Sequence, residues 1–227
     1  MALNDVKLLG TWVCPYVNRA QLALKLKSID HEFIDDIHFK KNEMLLKYNP
    51  VHKKIPVLVH GDKPVCESLI IVEYVDNAWP NSRSILPSDA YERALARFWA
   101  AYIDEKWFLL VKVLREAEDI EERASLAQKI SEGLVVLEEA FVRISKGETY
   151  FGGKSIGYLD IILGSCLAWL RVTEKIVQVN LLDQAKTPKL AKWADSFCSD
   201  DDVKDILPDT QKLLEFYKQV QVWMKAK

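Results

Sequence analysis

Val6-Lys-Leu-Leu-Gly-Thr-Trp-Val-Cys-Pro-Tyr-Val-Asn-Arg-Ala-Gln-Leu-Ala-Leu-Lys-Leu26 decides how the first part of this chain folds. Val6, Leu8 and Leu9 read as a short strand, Gly10 to Pro15 as a turn, and Ala20, Leu22, Ala23, Leu24 and Leu26 recur at helical spacing. Beyond it, His31 to Ile37 suits a second strand, Ile55-Pro-Val-Leu-Val59 a third and Pro64-Val-Cys66 a fourth. A helix follows through Leu69, Ile70, Val72, Glu73 and Tyr74. Helices packing on one small sheet make an α/β unit.

From Tyr91 the pattern changes. Leu95, Phe98, Trp99 and Tyr102, then Ile130, Leu134, Leu137 and Phe141, recur every three or four residues, which predicts an all-α region. Further helices are predicted over Gly157 to Val172, Pro188 to Cys198 and Thr210 to Ala226. Between the two regions, Trp79 to Pro87 is polar and carries prolines, as a linker does. The expected division is therefore an α/β domain over 1–80, a linker over 81–90 and an all-helical domain over 91–227. Ser155-Ile-Gly-Tyr-Leu-Asp160 reads as a helix start, with Ser155 as the cap and an acidic side chain returning to the first turn. Gly152-Gly-Lys-Ser155, with Gly147 upstream, has the look of the end of a phosphate loop. Such a loop follows a strand, however, whereas Lys146 to Phe151 follows a long helical pattern, so nucleotide binding is set aside.

The 227 residues carry 31 basic and 33 acidic side chains, a formal charge of −2, intermixed along the chain. No basic face is concentrated enough for a nucleic-acid partner. No apolar run approaches the roughly 20 residues of a membrane span, and Met1 to Gly10 lacks a signal core, so a cytoplasmic protein without membrane contact is expected. Cys14, Cys66, Cys166 and Cys198 stand far apart and form no metal-ligand pair, so no metal is expected and each thiol is judged alone.

Cys14 sits where the first strand turns into the first helix. The free N–H groups and positive dipole end of a helix start favour thiolate, so a lowered pKa is expected there. Val17 occupies the place of the second sulfur of a C-x-x-C motif, which points to monothiol chemistry resolved by an external thiol. Cys66, Cys166 and Cys198 read as ordinary core or surface thiols. Ile55-Pro56 before a strand suggests an edge whose backbone binds an extended peptide. Glu67 there suits an ammonium group, and Ser68 at a helix start suits a carboxylate.

Gly10-Thr-Trp-Val-Cys-Pro-Tyr-Val-Asn-Arg19, Asn49-Pro-Val-His-Lys-Lys-Ile-Pro-Val-Leu58 and Glu67-Ser-Leu-Ile-Ile-Val-Glu-Tyr74 together resemble the plant tau-class glutathione transferases, over essentially the whole chain. The resemblance implies a thioredoxin-like domain binding glutathione as co-substrate, an all-helical domain supplying an apolar pocket, a homodimer, and a detoxification or stress-response role. Carried over by position, Lys41 and Lys54 would face the glycine carboxylate of glutathione. Ile55 and Pro56 would offer backbone bonds, and Glu67 and Ser68 would hold the γ-glutamyl end. Trp12, Trp107, Phe108, Val111, Phe216 and Tyr217 are candidates for the wall of a pocket taking a small apolar or electrophilic molecule.

The chain departs from that family at its most informative position. Tau-class enzymes usually carry a serine hydroxyl, which donates to the glutathione thiolate, where this chain has Cys14. Cysteine there resembles the omega and lambda transferases and the glutaredoxins, which implies thiol transfer or deglutathionylation through Cys14. Glutathione conjugation to electrophiles, and non-catalytic carriage of apolar ligands, are the alternatives.

Overall fold

The computed structural model describes residues 5–35 and 43–225. Strand β1 (Val6–Gly10) alternates its side chains between two cores: Val6 and Leu8 join Leu58 on one face, while Leu9 joins Val57 and Val59 on the other. Both sets are almost wholly buried, as a sheet covered on each side requires. Helix α1 (Pro15–Leu26) opens on a proline whose fixed φ suits a first turn, and it buries Val17, Ala20, Leu22, Ala23 and Leu24.

Strand β2 (Glu32–Asp35) pairs parallel to β1, with Lys7 opposite Glu32; the end of its predicted run, Ile37, lies outside the described residues. Helix α2 (Glu43–Tyr48), which sequence reading did not anticipate, covers the second face through Leu45. Strand β3 (Val57–His60) runs antiparallel to β1, and β4 (Lys63–Cys66) antiparallel to β3, in the order β2-β1-β3-β4. The register puts Leu9 opposite Val57 and Val57 opposite Cys66. The end of β1, the beginning of β3 and the end of β4 therefore share one edge, and α3 (Ser68–Ala78) starts from it.

Asp76 of α3 fastens the linker by accepting from the backbone N–H groups of Ile85 and Leu86 at 2.9 and 3.0 Å. The buried Lys27 ammonium lies 2.8 Å from the same carboxylate and donates to the Arg83 carbonyl. Hydrogen bonds from Lys27, Leu86 and Ile85 hold the Asp76 carboxyl below its ordinary pKa, although burial opposes them.

The helical part comprises α4 (Ala90–Tyr102), a π-helical turn (Ile103–Trp107), α5 (Phe108–Glu116), α6 (Ile120–Ser145), α7 (Tyr158–Gly164), α8 (Leu167–Val177), α9 (Pro188–Ser199) and α10 (Thr210–Lys225). Asp89 and Asp119 cap α4 and α6 by accepting first-turn N–H bonds.

Two sequence expectations are corrected. The single helix over Gly157 to Val172 is two helices, broken where the Ser165 hydroxyl turns back to the Ile162 carbonyl and accepts from Arg19. Ser155 does not cap α7. Gly157 stands at that position, because a Cβ there would lie 2.9 Å from the Gly152 Cα. The acidic partner is Asp160, whose carboxylate accepts from the N–H groups of Phe151, Gly152 and Gly157 and from Trp193 Nε1, all within 2.8 Å. Burial pushes the Asp160 carboxyl up to about 6 against the pull of these donors. Gly152-Gly-Lys-Ser155, already set aside as a phosphate loop, lies in a tight turn closed by pairing of Tyr150 with Gly153, and Glu148 rather than Gly147 stands five residues before the Gly-Lys-Ser run.

Candidate active site at the start of helix α1

Cys14 is the residue from which α1 starts, with extended φ and ψ of −90° and 116° and no cap hydrogen bond from its side chain. Its thiol is half-buried, and the first-turn N–H groups of Tyr16 and Val17 favour the thiolate. Burial outweighs them and holds the thiol above its ordinary pKa, contrary to the lowered value expected from the helix start alone. Burial also raises Cys66, Cys166 and Cys198, and takes Cys166 to about 11.

The turn carrying Cys14 is tied to the helical domain. Trp169 Nε1 of α8 donates to the Val13 carbonyl at 2.8 Å, and Asn18 Nδ2 reaches the Ile206 carbonyl at 3.5 Å. Beneath the turn, Arg19 is fully buried and forms a bidentate pair with Asp104 at 2.6 and 2.8 Å. It also donates to the Ser68 and Ser165 hydroxyls and to the Ile162 carbonyl. Burial works against the charge, yet the Asp104 hydrogen bonds and attraction hold the Arg19 pKa above its ordinary value. Asp104 sits in the π-helical turn, a distortion that concentrates at functional sites. Tyr16, 4.9 Å below the Arg19 guanidinium, has its phenol pushed up to about 12 by burial and stays neutral.

The shared sheet edge brings Ile55-Pro56 and Glu67-Ser68 to the same end of the sheet as Cys14. The Ile55–Pro56 bond is cis. Asn49, itself buried, holds the approach by donating to the Lys54 carbonyl at 2.8 Å and accepting from the His52 N–H. Lys54 is exposed, Ile55 half-buried and Pro56 buried. Lys53 and Glu67 both hold positive φ, 53° and 72°, a conformation that side chains other than glycine adopt at some cost and that clusters at ligand sites. Glu67 is exposed, whereas Ser68 is buried against Arg19. Lys41 lies outside the described residues.

The candidate apolar wall divides. Trp12 packs edge-on to Phe216 at 5.7 Å, Tyr217 lies 6.2 Å from Trp169, and all four rings are half-buried beside the Cys14 turn. Phe108, 7% exposed and largely in the core, meets Tyr16 edge-on at 6.3 Å and offers the wall only its outer edge. Trp107 and Val111, expected in the wall, are 1% and 0% exposed, with Trp107 Nε1 donating to the Ile130 carbonyl of α6, so they pack the helical core. Among the described residues no group of three His, Cys, Asp or Glu side chains is placed to hold a metal ion, and no helix is long and apolar enough to cross a membrane.

Family models for the glutathione S-transferase N-terminal domain and the glutathione S-transferase C-terminal domain match residues 4–77 and 98–201. The chain belongs to the glutathione S-transferases. It is 56% identical to glutathione S-transferase U17 of Arabidopsis thaliana over 97% of both chains. The crystal structure of the tau-class glutathione S-transferase from mango superposes with a TM-score of 0.92 at 54% identity, covering 95% of this chain and 98% of that one. A rice glutathione S-transferase solved in complex with glutathione gives 0.86 at 33% identity, covering 96% and 98%. These relatives place the transferase in the plant tau class.

Arg19, Asp104, Trp169 and Asn18 escaped the sequence reading. Arg19 did leave a signal, being a lone cation between Val17 and Ala20 on the apolar face of α1. Asp104 left none.

Proposed function

We propose that this transferase moves glutathione through Cys14. The supporting observation is a thiol at an uncapped helix start, on the sheet end where the cis Ile55–Pro56 bond and the Glu67-Ser68 helix start converge. Glutathione carries two carboxylates and one ammonium. Lys41 and Lys54 are assigned to its glycine carboxylate, the Ile55-Pro56 backbone to its cysteinyl part, and Glu67 and Ser68 to its γ-glutamyl end.

In the reaction, the Cys14 thiolate attacks the glutathionyl sulfur of a mixed disulfide. The Cys14–S–S–glutathione bond forms as the substrate thiolate leaves and takes up a proton. A second glutathione thiolate then attacks that bond, releasing oxidised glutathione and restoring Cys14. The incoming glutathione thiol is the reductant: its sulfur enters the disulfide as the substrate sulfur returns to the thiol, while the glutathionyl sulfur stays at disulfide level throughout. The small apolar adduct would rest against Trp12, Phe108, Phe216 and Tyr217.

The raised pKa of Cys14 favours a second reading. A neutral S–H is a weak donor, and it would stand where tau-class serines direct their hydroxyl at the glutathione thiolate, leaving glutathione itself to attack an electrophile. For the working unit we propose a cytoplasmic homodimer, with exposed Ile70 of α3 and Phe98 of α4 in the contact; the Glu73–Arg97 ion pair sets these two helices side by side.

The deciding experiment assays purified protein with glutathione against a glutathione mixed disulfide and an activated aryl halide, each repeated with Cys14→Ser. Thiol transfer predicts disulfide reduction in the wild type, a loss of at least about 100-fold in Cys14→Ser, and a gain in aryl conjugation. Wild-type aryl conjugation without disulfide reduction would establish the second reading instead.

A further inference from the structure

Arg115, near the end of α5, is a cation with no carboxylate partner among the described residues. Its guanidinium carbon lies 4.2 Å from the centre of the Trp169 ring and 5.5 Å from that of Tyr217, two rings set nearly at right angles, so the group sits in an aromatic corner. Its Nε is buried and has no hydrogen-bond partner. The seven salt bridges among the described residues omit it; the Tyr217 hydroxyl is its side-chain hydrogen-bonding neighbour, and Glu116, the adjacent acid, attracts it without pairing. Half-buried Arg115 contrasts with the fully buried Arg19, which is paired bidentately and spends its remaining N–H groups on hydroxyls and a carbonyl. Desolvation of Arg115 without a counter-charge pulls its pKa down, a cost that an anion at the guanidinium would offset.

The aromatic faces beside Arg115 belong to the same cluster as the Cys14 turn. Trp169 holds the Val13 carbonyl, and Trp12 and Phe216 continue the half-buried aromatic surface. Stacked guanidinium groups are pre-organised for bidentate carboxylate recognition, and the rings flanking this one accept a flat apolar body.

We infer that Arg115 makes the second-substrate side of this cleft selective for flat, apolar molecules that carry a carboxylate. The inference rests on the glutathione reading above for the identity of the cleft, but binding of such a ligand requires neither glutathione nor Cys14.

The test uses the intact protein and a matched pair of ligands, 2-naphthylacetate and its uncharged primary amide, titrated by calorimetry without glutathione. The acid is expected to bind at least about tenfold more tightly than the amide, about 1.4 kcal/mol, with the margin shrinking as salt is raised. Arg115→Gln should erase the preference while leaving the amide's Kd within about twofold, and Arg115→Lys should keep part of it. Equal binding of acid and amide by the wild type overturns the inference, as does no binding of either. A preference surviving Arg115→Gln, or equal weakening of both ligands, overturns it too, since Arg115 would then only pack against Trp169. Should Arg115→Gln fail to fold, Arg115→Lys carries the test, and an undiminished acid preference in that variant overturns the inference. Glutathione titrated into the same samples separates the two claims: lost glutathione binding with the acid preference intact removes the proposed function and leaves this inference standing.

Discussion

Two helix starts in this protein are finished in opposite ways. At α7 the fold closes the start: the Tyr158 N–H donates to the Ile85 carbonyl, and the wholly buried Asp160 carboxylate turns back to the N–H groups of Gly157, Phe151 and Gly152 and to Trp193 Nε1, welding the 150–157 turn to α7 and α9. At α1 the first-turn N–H groups receive no side-chain cap, and a thiol stands over them. A helix start whose donors are spent internally is a folding device, whereas one left open at a domain junction remains available to a ligand.

The largest effect should come from removing the closed cap. Asp160→Ala leaves four donors without an acceptor, three of them buried, and each buried one costs about 1–3 kcal/mol. Denaturant unfolding should show a loss of about 4 kcal/mol or more. A loss below about 1 kcal/mol would mean that water replaces the carboxylate and that α7 is not held by it.

Next in size is the pair beneath the open start. Asp104→Ala strands the Arg19 guanidinium in the core, which costs about 3–5 kcal/mol for a buried pair broken on one side; the partial exposure of Asp104 puts the expectation at about 3. Because Arg19 also holds Ser68, glutathione affinity should fall along with stability. Unfolding and glutathione titration on the same sample test both parts, and an unchanged Kd for glutathione would confine Arg19 to a structural role.

The two starts also differ in how far the sequence disclosed them. Cys14 with Pro15, and Glu67 with Ser68, are neighbours whose meaning is local: a turn, a first helical position, an acid beside a hydroxyl. The four strands and the change to helical spacing after Tyr91 rest on periodicities that burial enforces, so they too were legible. The supports of the site were not, because their partners are far apart in the chain: Arg19 and Asp104 are separated by 85 residues, Val13 and Trp169 by 156. Trp107 and Val111 show the same limit. Apolar residues on a helix look alike whether they face core or cleft, and the π-helical turn before α5 adds a residue to one turn and resets which side faces inward. At α7 the serine drew attention away from Gly157, whose place is fixed by backbone packing against Gly152 rather than by hydrogen-bonding capacity.

A smaller effect tests the electrostatics of Cys14. With burial holding the thiol above its ordinary pKa, the thiolate is the minor form through the neutral range and its fraction grows about tenfold per pH unit. Iodoacetamide labelling of Cys14, followed by intact mass, should therefore accelerate steadily from pH 6 to about 9 without levelling. The stability relation has the matching sign: the fold favours the neutral thiol, so the contribution of Cys14 is present below its unfolded pKa and is lost as pH rises through the raised folded value. A plateau near pH 7 would show that the open helix start outweighs burial, and it would strengthen the thiol-transfer reading over conjugation.

The smallest effect is expected where the sequence pointed most plainly. Ser155 has the residue type of a helix cap and stands five residues before Asp160, yet Gly157 occupies the capping position and the Asp160 carboxylate takes its bonds from other groups. Ser155 is exposed, so its hydroxyl can be solvated when unfolded and folded alike. Ser155→Ala should then change stability by less than about 0.5 kcal/mol, against about 1 kcal/mol for loss of a working serine cap. The unfolding midpoint in urea, measured beside that of Asp160→Ala, separates the two assignments, and a shift of the full capping size would return the start of α7 to the serine.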